Sequence, residues 1–197
     1  MDNFLIGLFL ATLIISIFTA RLYRLIFWYF VNSLMLGLLA VFIGIKVHDN
    51  ALIVSGAITL VLKALIIPYV LKYLSKKFHL QRQITPNIKV HYSVILIPAI
   101  LVFTFFIAEP ISHMLQANPN DISISISSLF LTLILMMEHN HVAPKIIGFL
   151  TLDNALFLLG ITATNGMPML VELGVFFDIL MAIVIINLLF KDTGVKA

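Results

Sequence analysis

Apolar runs long enough to cross a bilayer follow one another along nearly the whole chain, with only short polar stretches between them. A bilayer core of about 30 Å is crossed by a helix of about 20 apolar residues. Strands exposed to lipid would leave backbone groups unpaired, so each run is expected to be a helix. Seven spans are predicted, at residues 4–20, 25–45, 51–74, 91–108, 122–137, 146–164 and 168–190.

Composition supports lipid as the solvent. Hydrophobic residues make up 61% of the chain and charged residues only 11%, with a mean hydropathy of +1.13. Soluble domains carry about 45–50% apolar and about 25% charged residues, so soluble enzymes, nucleic-acid binders and disordered linkers are excluded. The predicted fold is an all-α, polytopic transmembrane helix bundle that forms one integral membrane domain over residues 1–197.

The chain contains no cysteine. It cannot by itself build a disulfide, a thiolate zinc site, an iron–sulfur cluster or a covalently attached haem. Any redox chemistry is therefore expected to belong to partner subunits. The residues also show no glycine-rich phosphate loop and no Ser/His/Asp nucleophile arrangement, so the chain is expected to have no active site of its own.

The first two spans have the least distinct boundaries. Met1-Asp2-Asn3 lacks a basic segment, which favours a retained first helix over a cleaved signal peptide. Arg21 and Arg24 are the only break before the second span and are expected to form a turn at the headgroup level.

The fifth span begins with serines at nearly alternate positions, a period typical of strands. Because an open strand is not viable in lipid, we expect a helix that begins near Asp121 and turns its serines toward neighbouring helices. These serines are Ser123, Ser125, Ser127 and Ser128.

The distribution of basic residues predicts the orientation. With seven spans, ten of the 12 basic residues fall on one side, Lys46 lies on the other, and Lys63 lies inside a span. The positive-inside rule makes the ten-residue side cytoplasmic, with the N-terminus outside and the C-terminus inside. The ten are Arg21, Arg24, Lys72, Lys76, Lys77, Arg82, Lys89, Lys145, Lys191 and Lys196.

Three ionisable residues, Lys63, Asp153 and Asp178, fall deep inside predicted spans. Each such residue costs about 2.5–3.5 kcal/mol at the centre of a membrane helix, so these side chains are expected to face the bundle interior, pair, or line a hydrated path. At about 1.5 Å per residue, Lys63 and Asp153 lie at similar depths and can pair. Asp178 lies further outward, and Glu172 approaches the outer face.

Two interpretations of these charges remain open. Buried ionisable groups mark ion pathways in membrane proteins, which predicts a proton relay through them. A fixed Lys63–Asp153 pair that only sets the helix register is the structural alternative.

Two further features carry predictions of their own. Glu138-His139-Asn140-His141 offers two histidines that can bind a metal, but a solvated interfacial turn is the favoured interpretation. Pro68 lies five residues after Lys63 and is expected to kink the third span, which would open polar backbone near the lysine.

The last third of the chain resembles a known family. Residues 146–154, which end in Asp153-Asn154, and residues 170–184, which contain Glu172, Gly174 and Asp178, resemble hydrogenase-4 component E. The third span agrees in its Thr59, Lys63 and Pro68 pattern. Residues 122–197 also resemble, more distantly, the K subunit of complex I and the C subunit of multisubunit sodium/proton antiporters, leaving 1–121 as a four-helix N-terminal part.

This resemblance implies a non-catalytic membrane subunit of a group 4 [NiFe] hydrogenase or formate hydrogenlyase-like complex in the cytoplasmic (inner) membrane. Lys63, Asp153, Asp178 and Glu172 would then contribute to proton or sodium translocation. The implied partners are antiporter-like and quinone-channel-like membrane subunits and a peripheral nickel–iron and iron–sulfur module. The chain itself would bind no cofactor.

Two alternatives remain open beside this hypothesis. One is a purely structural scaffold in the same complex, and the other is a subunit of a multisubunit cation/proton antiporter that has no redox partner.

Overall fold

The computed structural model describes residues 2–77, 90–139 and 141–164, and within them the chain is helical with no strand longer than an isolated bridge. Predicted positions beyond these ranges, including the seventh span with Glu172 and Asp178, lie outside the described residues. The helices are α1 (Asp2–Ile17), α2 (Leu22–Val47), α3 (Asn50–Thr59), a π-helical segment (Leu60–Ile66), α4 (Ile67–Lys77), α5 (Val90–Leu115), α6 (Pro119–Glu138) and α7 (Val142–Thr164).

Five helices are long and apolar enough to cross a membrane: α2, the continuous helix Asn50–Lys76, and most of α5, α6 and α7. Helix α1 is apolar but contains 16 residues, which at about 1.5 Å per residue spans only about 24 Å. The predicted first span runs too far, because α1 ends at Ile17 and residues 19–20 are not helical.

Short caps explain how the chain reverses between α2 and α3. His48 ends α2 in the left-handed conformation, at φ 56°. The Asp49 side chain then accepts hydrogen bonds from the backbone N–H groups of Ala51 and Leu52 at 2.9 and 3.4 Å. An aspartate that satisfies the first free N–H groups is a strong helix start.

Helix α6 confirms the helical prediction for the serine-rich span. All four serines are buried, and the hydroxyls of Ser125, Ser127 and Ser128 donate to the carbonyl oxygens four residues earlier at 2.7 Å. This back-bonding satisfies the hydroxyls within the helix. The helix begins slightly earlier than predicted, because Asn118 caps it and Pro119 occupies its first turn.

Four helices, α1, α2, α7 and α6, contact one another in a ring, in that order. Helix α3, the π-helical segment and α4 cover the α2 side of this ring, and α5 covers the α6 side. We name the two ends of the bundle by α6, which runs from the Asp121 end to the Glu138 end.

The third span widens where Lys63 lies. Ile67 N–H donates to the carbonyl of Leu62, five residues back, as a π-helix requires. Pro68 follows directly and has no N–H of its own, so a regular ladder cannot continue through this position. The irregularity near Lys63 is a π-helical turn on the N-terminal side of the proline, and the predicted kink at Pro68 stays a prediction.

Helices α2 and α3 approach closely through glycines, which predicts a test of their packing. A Cβ added at Gly56 would lie 2.9 Å from the backbone nitrogen of Val41. We expect Gly56→Ala to force the helices apart and to lower the free energy of unfolding by about 1–3 kcal/mol, measured as a lower Tm in detergent.

Gly7→Ala is the matched control, because no atom lies within 4 Å of the added Cβ there. Alanine is also the better helix former, so this variant is expected to keep or raise the Tm. Equal Tm values for the two variants would contradict the close packing of α2 on α3.

Candidate functional site

The centre of the site is an ion pair between the third span and α7. Lys63 Nζ lies 2.6 Å from Asp153 Oδ2, and the side chains are 1% and 12% exposed. Asp153 is the middle residue of α7 and Lys63 lies near the middle of the helix Asn50–Lys77. The predicted pairing is therefore present, at a depth of about 17–21 Å from the Glu138 end at about 1.5 Å per residue.

An aromatic ring and the π-helical turn hold the lysine. Lys63 Nζ lies 5.7 Å from the centre of the Phe157 ring, within the range of a cation–π interaction. Phe157 follows Asp153 by one helical turn, so the carboxylate and the ring lie on the same face of α7. Helix α7 thus supplies two groups that stabilise the ammonium.

Two hydroxyls extend the polar surface from Lys63 toward the Asp121 end. Ser55 and Thr59 precede Lys63 by two turns and one turn, and both are buried. Their oxygen atoms form no hydrogen bond with another described residue. These hydroxyls can donate and accept further hydrogen bonds on this side of the ion pair.

A network of amides and hydroxyls lies next to the pair and was not predicted. Asn154 Nδ2 donates to Asn32 Oδ1 at 3.1 Å and to Ser33 Oγ at 2.8 Å. Asn32 Nδ2 donates in turn to Thr12 Oγ1 at 3.0 Å and to the Phe9 carbonyl oxygen at 3.2 Å. The network joins α1, α2 and α7 in the bundle interior. The feature of the sequence that could have indicated this network is the presence of Asn32 and Asn154 inside apolar spans.

At the Glu138 end the structure overturns the prediction of a solvated turn. Glu138 and His139 are each only 1% exposed. His139 Nδ1 lies 3.1 Å from the Leu135 carbonyl oxygen, and the ring also forms a hydrogen bond with the Thr19 backbone, which brings the α1–α2 connection against the end of α6. The described residues contain no group of three potential ligands that can hold a metal ion.

A cavity of about 460 Å³ opens at the other end of the bundle. Lys46 and Asp2 form an exposed ion pair of 3.1 Å at its rim, and Asp121 and Thr162 also line it. The Thr162 hydroxyl shares a hydrogen bond of 2.9 Å with Ser125. Polar groups therefore continue from this cavity into the contact between α6 and α7.

Comparison with known proteins gives one relative and no assigned activity. No family model matches the chain, and no solved structure matches it. The chain is similar to the uncharacterized protein Rv0085 of Mycobacterium tuberculosis, with 29% identity over 148 residues that cover 74% of this chain and 67% of that protein.

The amide network predicts a loss of stability when its central residue is removed. We expect Asn154→Ala to lower the free energy of unfolding by about 1 kcal/mol, because Asn32 and Ser33 lose a buried partner. The exposed Asn120 gives the matched control, Asn120→Ala. A Tm in detergent that falls equally in both variants would contradict a special role for the network.

His139 predicts a stability that depends on pH. Burial lowers the pKa of His139 from its ordinary value of 6.5, nearby His141 lowers it further, and the Leu135 and Thr19 backbone groups partly oppose this. The unfolded chain therefore binds the proton more tightly. The contribution of neutral, buried His139 to the free energy of unfolding is therefore complete above pH 6.5. It is lost as the pH falls from 6.5 through the lowered pKa.

We expect His139→Gln to weaken the fall of the Tm as the pH decreases from 6.5 to about 5. His113→Gln is the control, because His113 is exposed. An unchanged slope in His139→Gln would show that another group causes the acid sensitivity.

Proposed function

We propose that this chain is an ion-translocating membrane subunit in which Lys63 and Asp153 carry a proton step through the bundle centre. The observation that supports this most is the 2.6 Å ion pair at mid-helix depth. Ionisable residues inside a membrane are costly and mark ion paths by default. The π-helical segment that carries Lys63 belongs to a class of irregularity often found at functional sites.

The surroundings of the pair suit proton transfer. Ser55 and Thr59 offer hydroxyls with free hydrogen-bonding capacity on one side. The Oδ1 atom of Asn154 is buried and also lacks a hydrogen-bond partner among the described residues. These groups give the ion pair polar neighbours with unused hydrogen-bonding capacity, which a proton path requires.

The proposal extends to residues outside the described ranges. Asp178 and Glu172 would be the next groups outward, on a seventh span at residues 168–190. The N-terminus would lie outside and the C-terminus in the cytoplasm of a cytoplasmic-membrane protein. This orientation is supported by the described basic residues, since Lys46 is alone at the Asp121 end while six lie at or near the Glu138 end.

The resemblance to hydrogenase-4 component E supplies the proposed complex. In it, a peripheral nickel–iron and iron–sulfur module would perform the redox chemistry. Antiporter-like and quinone-channel-like membrane subunits would be the neighbours of this chain within the bilayer. The chain would join these parts and contribute one portion of the ion path.

The test compares neutral variants of the pair in the intact complex. Lys63→Met and Asp153→Asn are introduced in the native host, and the complex is purified through a tag on this chain. After reconstitution into liposomes, we expect proton uptake to fall at least about tenfold, which equals a barrier raised by about 1.4 kcal/mol. Uptake is followed with a pH-sensitive dye.

The double variant Lys63→Leu/Asp153→Leu separates a relay from a scaffold. It removes both charges together. A single variant would instead leave one buried charge without its partner, which costs about 3–5 kcal/mol of stability. A complex that assembles normally and translocates protons at the wild-type rate with this apolar pair would reject the relay and support the scaffold. Assembly without translocation would support the relay.

The exposed pair at the Asp121 end provides the matched control. Lys46→Met/Asp2→Asn removes an ion pair of the same residue types from a solvated position. We expect assembly and proton uptake to remain unchanged. If nickel–iron subunits do not copurify with the tagged wild-type chain, the hydrogenase assignment fails while the pair itself can still be tested in whatever complex is recovered.

A further inference from the structure

Glu138 is a buried carboxyl group that the proposed relay does not use. It is 1% exposed at the end of α6, and its Oε2 atom has no hydrogen-bond partner among the described residues. The Ser93 hydroxyl of α5 lies beside the carboxyl group. Ile134, one turn before Glu138, and Ile97, one turn after Ser93, belong to the same buried apolar cluster.

Among the described residues, the basic side chains of this end form no ion pair with Glu138. The basic residues are all exposed: Arg21 just before α2, Arg24 of α2, Lys72 and Lys76 of α4, and Lys145 of α7. Within the described ranges, the ion pairs with N–O distances up to 4.0 Å join Lys46 to Asp2 and Lys63 to Asp153. The neighbouring His139 ring is directed to the carbonyl oxygen of Leu135.

An ionised carboxylate is expensive in such surroundings. Burial of an unpaired charge costs several kcal/mol or more, and the group avoids this cost by taking up a proton. A protonated carboxyl group donates one hydrogen bond from its O–H and accepts another at its carbonyl oxygen. A serine hydroxyl can be the partner in either of these two hydrogen bonds.

We propose that Glu138 is a proton-binding site, a carboxylic acid that holds an exchangeable proton at the Glu138 end of the bundle. Tyr29 and Ser33, one turn apart on the buried face of α2, lead from this end toward Asn154. Delivery of the proton to Asp153 along that line rests on the proposed function. Proton binding by Glu138 does not.

The test uses dicyclohexylcarbodiimide, an apolar reagent that adds to protonated carboxyl groups. The acid proton moves to a reagent nitrogen as the carboxyl oxygen bonds to the central carbon, and rearrangement gives a stable N-acylurea without a leaving group. The purified full-length protein in liposomes is treated over a range of pH. Peptide mass spectrometry then locates the adduct.

We expect the adduct on Glu138, with a yield that falls as the pH rises. Glu138→Gln keeps the size and polarity of the side chain and is expected to remove this adduct while preserving the Tm. Asp2, which is ion-paired with Lys46 at the solvated Asp121 end, serves as the internal control that should stay unmodified. The adduct is expected to persist in Asp153→Asn, which separates this site from the proposed relay.

Infrared spectroscopy covers the case in which the reagent fails to reach the site. At neutral pH, the wild type is expected to show the carbonyl stretch of a protonated carboxylic acid, and this band is expected to shift in deuterated water. The band is expected to be absent from Glu138→Gln. Absence of both the adduct and this band would overturn the proposal. Protection from the reagent by sodium at constant pH would overturn it in favour of a cation site.

Discussion

The ion pair between Lys63 and Asp153 is the constraint on which the rest of the bundle depends. Either charge alone would be too costly in lipid, so the third span and α7 must meet at this level and in this rotation. The π-helical turn and the Phe157 ring adapt the two helices to that contact. The Asn154 network, one residue from the aspartate, then secures α2 and α1 to the same level.

The two ends of the bundle differ in how they treat charge. At the Asp121 end, carboxylates and Lys46 line a cavity that is open to solvent, so ions there stay hydrated. At the Glu138 end, an acid and a histidine are buried among apolar side chains, where proton uptake becomes part of the energetics. Between the two ends, the interior of the bundle contains buried hydroxyls, amides and the Lys63–Asp153 ion pair. A helix surface that faces lipid would carry only apolar groups at this depth.

Several elements of this arrangement were predictable from particular residues. The length of the apolar runs predicted the helices, and a common depth in helical register predicted the Lys63–Asp153 pair, which the structure confirms. The serines of α6 were correctly expected on a helix because an open strand is not viable in lipid. The burial of Glu138 and His139 was missed, because a polar run at a helix end is typical of a solvated turn. Contact with α5 and with the α1–α2 connection helps to remove these residues from water.

The sequence by itself determined that lipid is the solvent, that the chain is helical, and which charges are out of place. These conclusions follow from local quantities, namely the length of each apolar run and the cost of a charge inside it. Tertiary structure alone decided which asparagines meet across α2 and α7, and how Lys63 is shared between a carboxylate and a ring. It also decided that Glu138 lies inside the protein. Such facts depend on the rotation of each helix about its axis, and that rotation is set by packing between distant segments rather than by the residues of one segment.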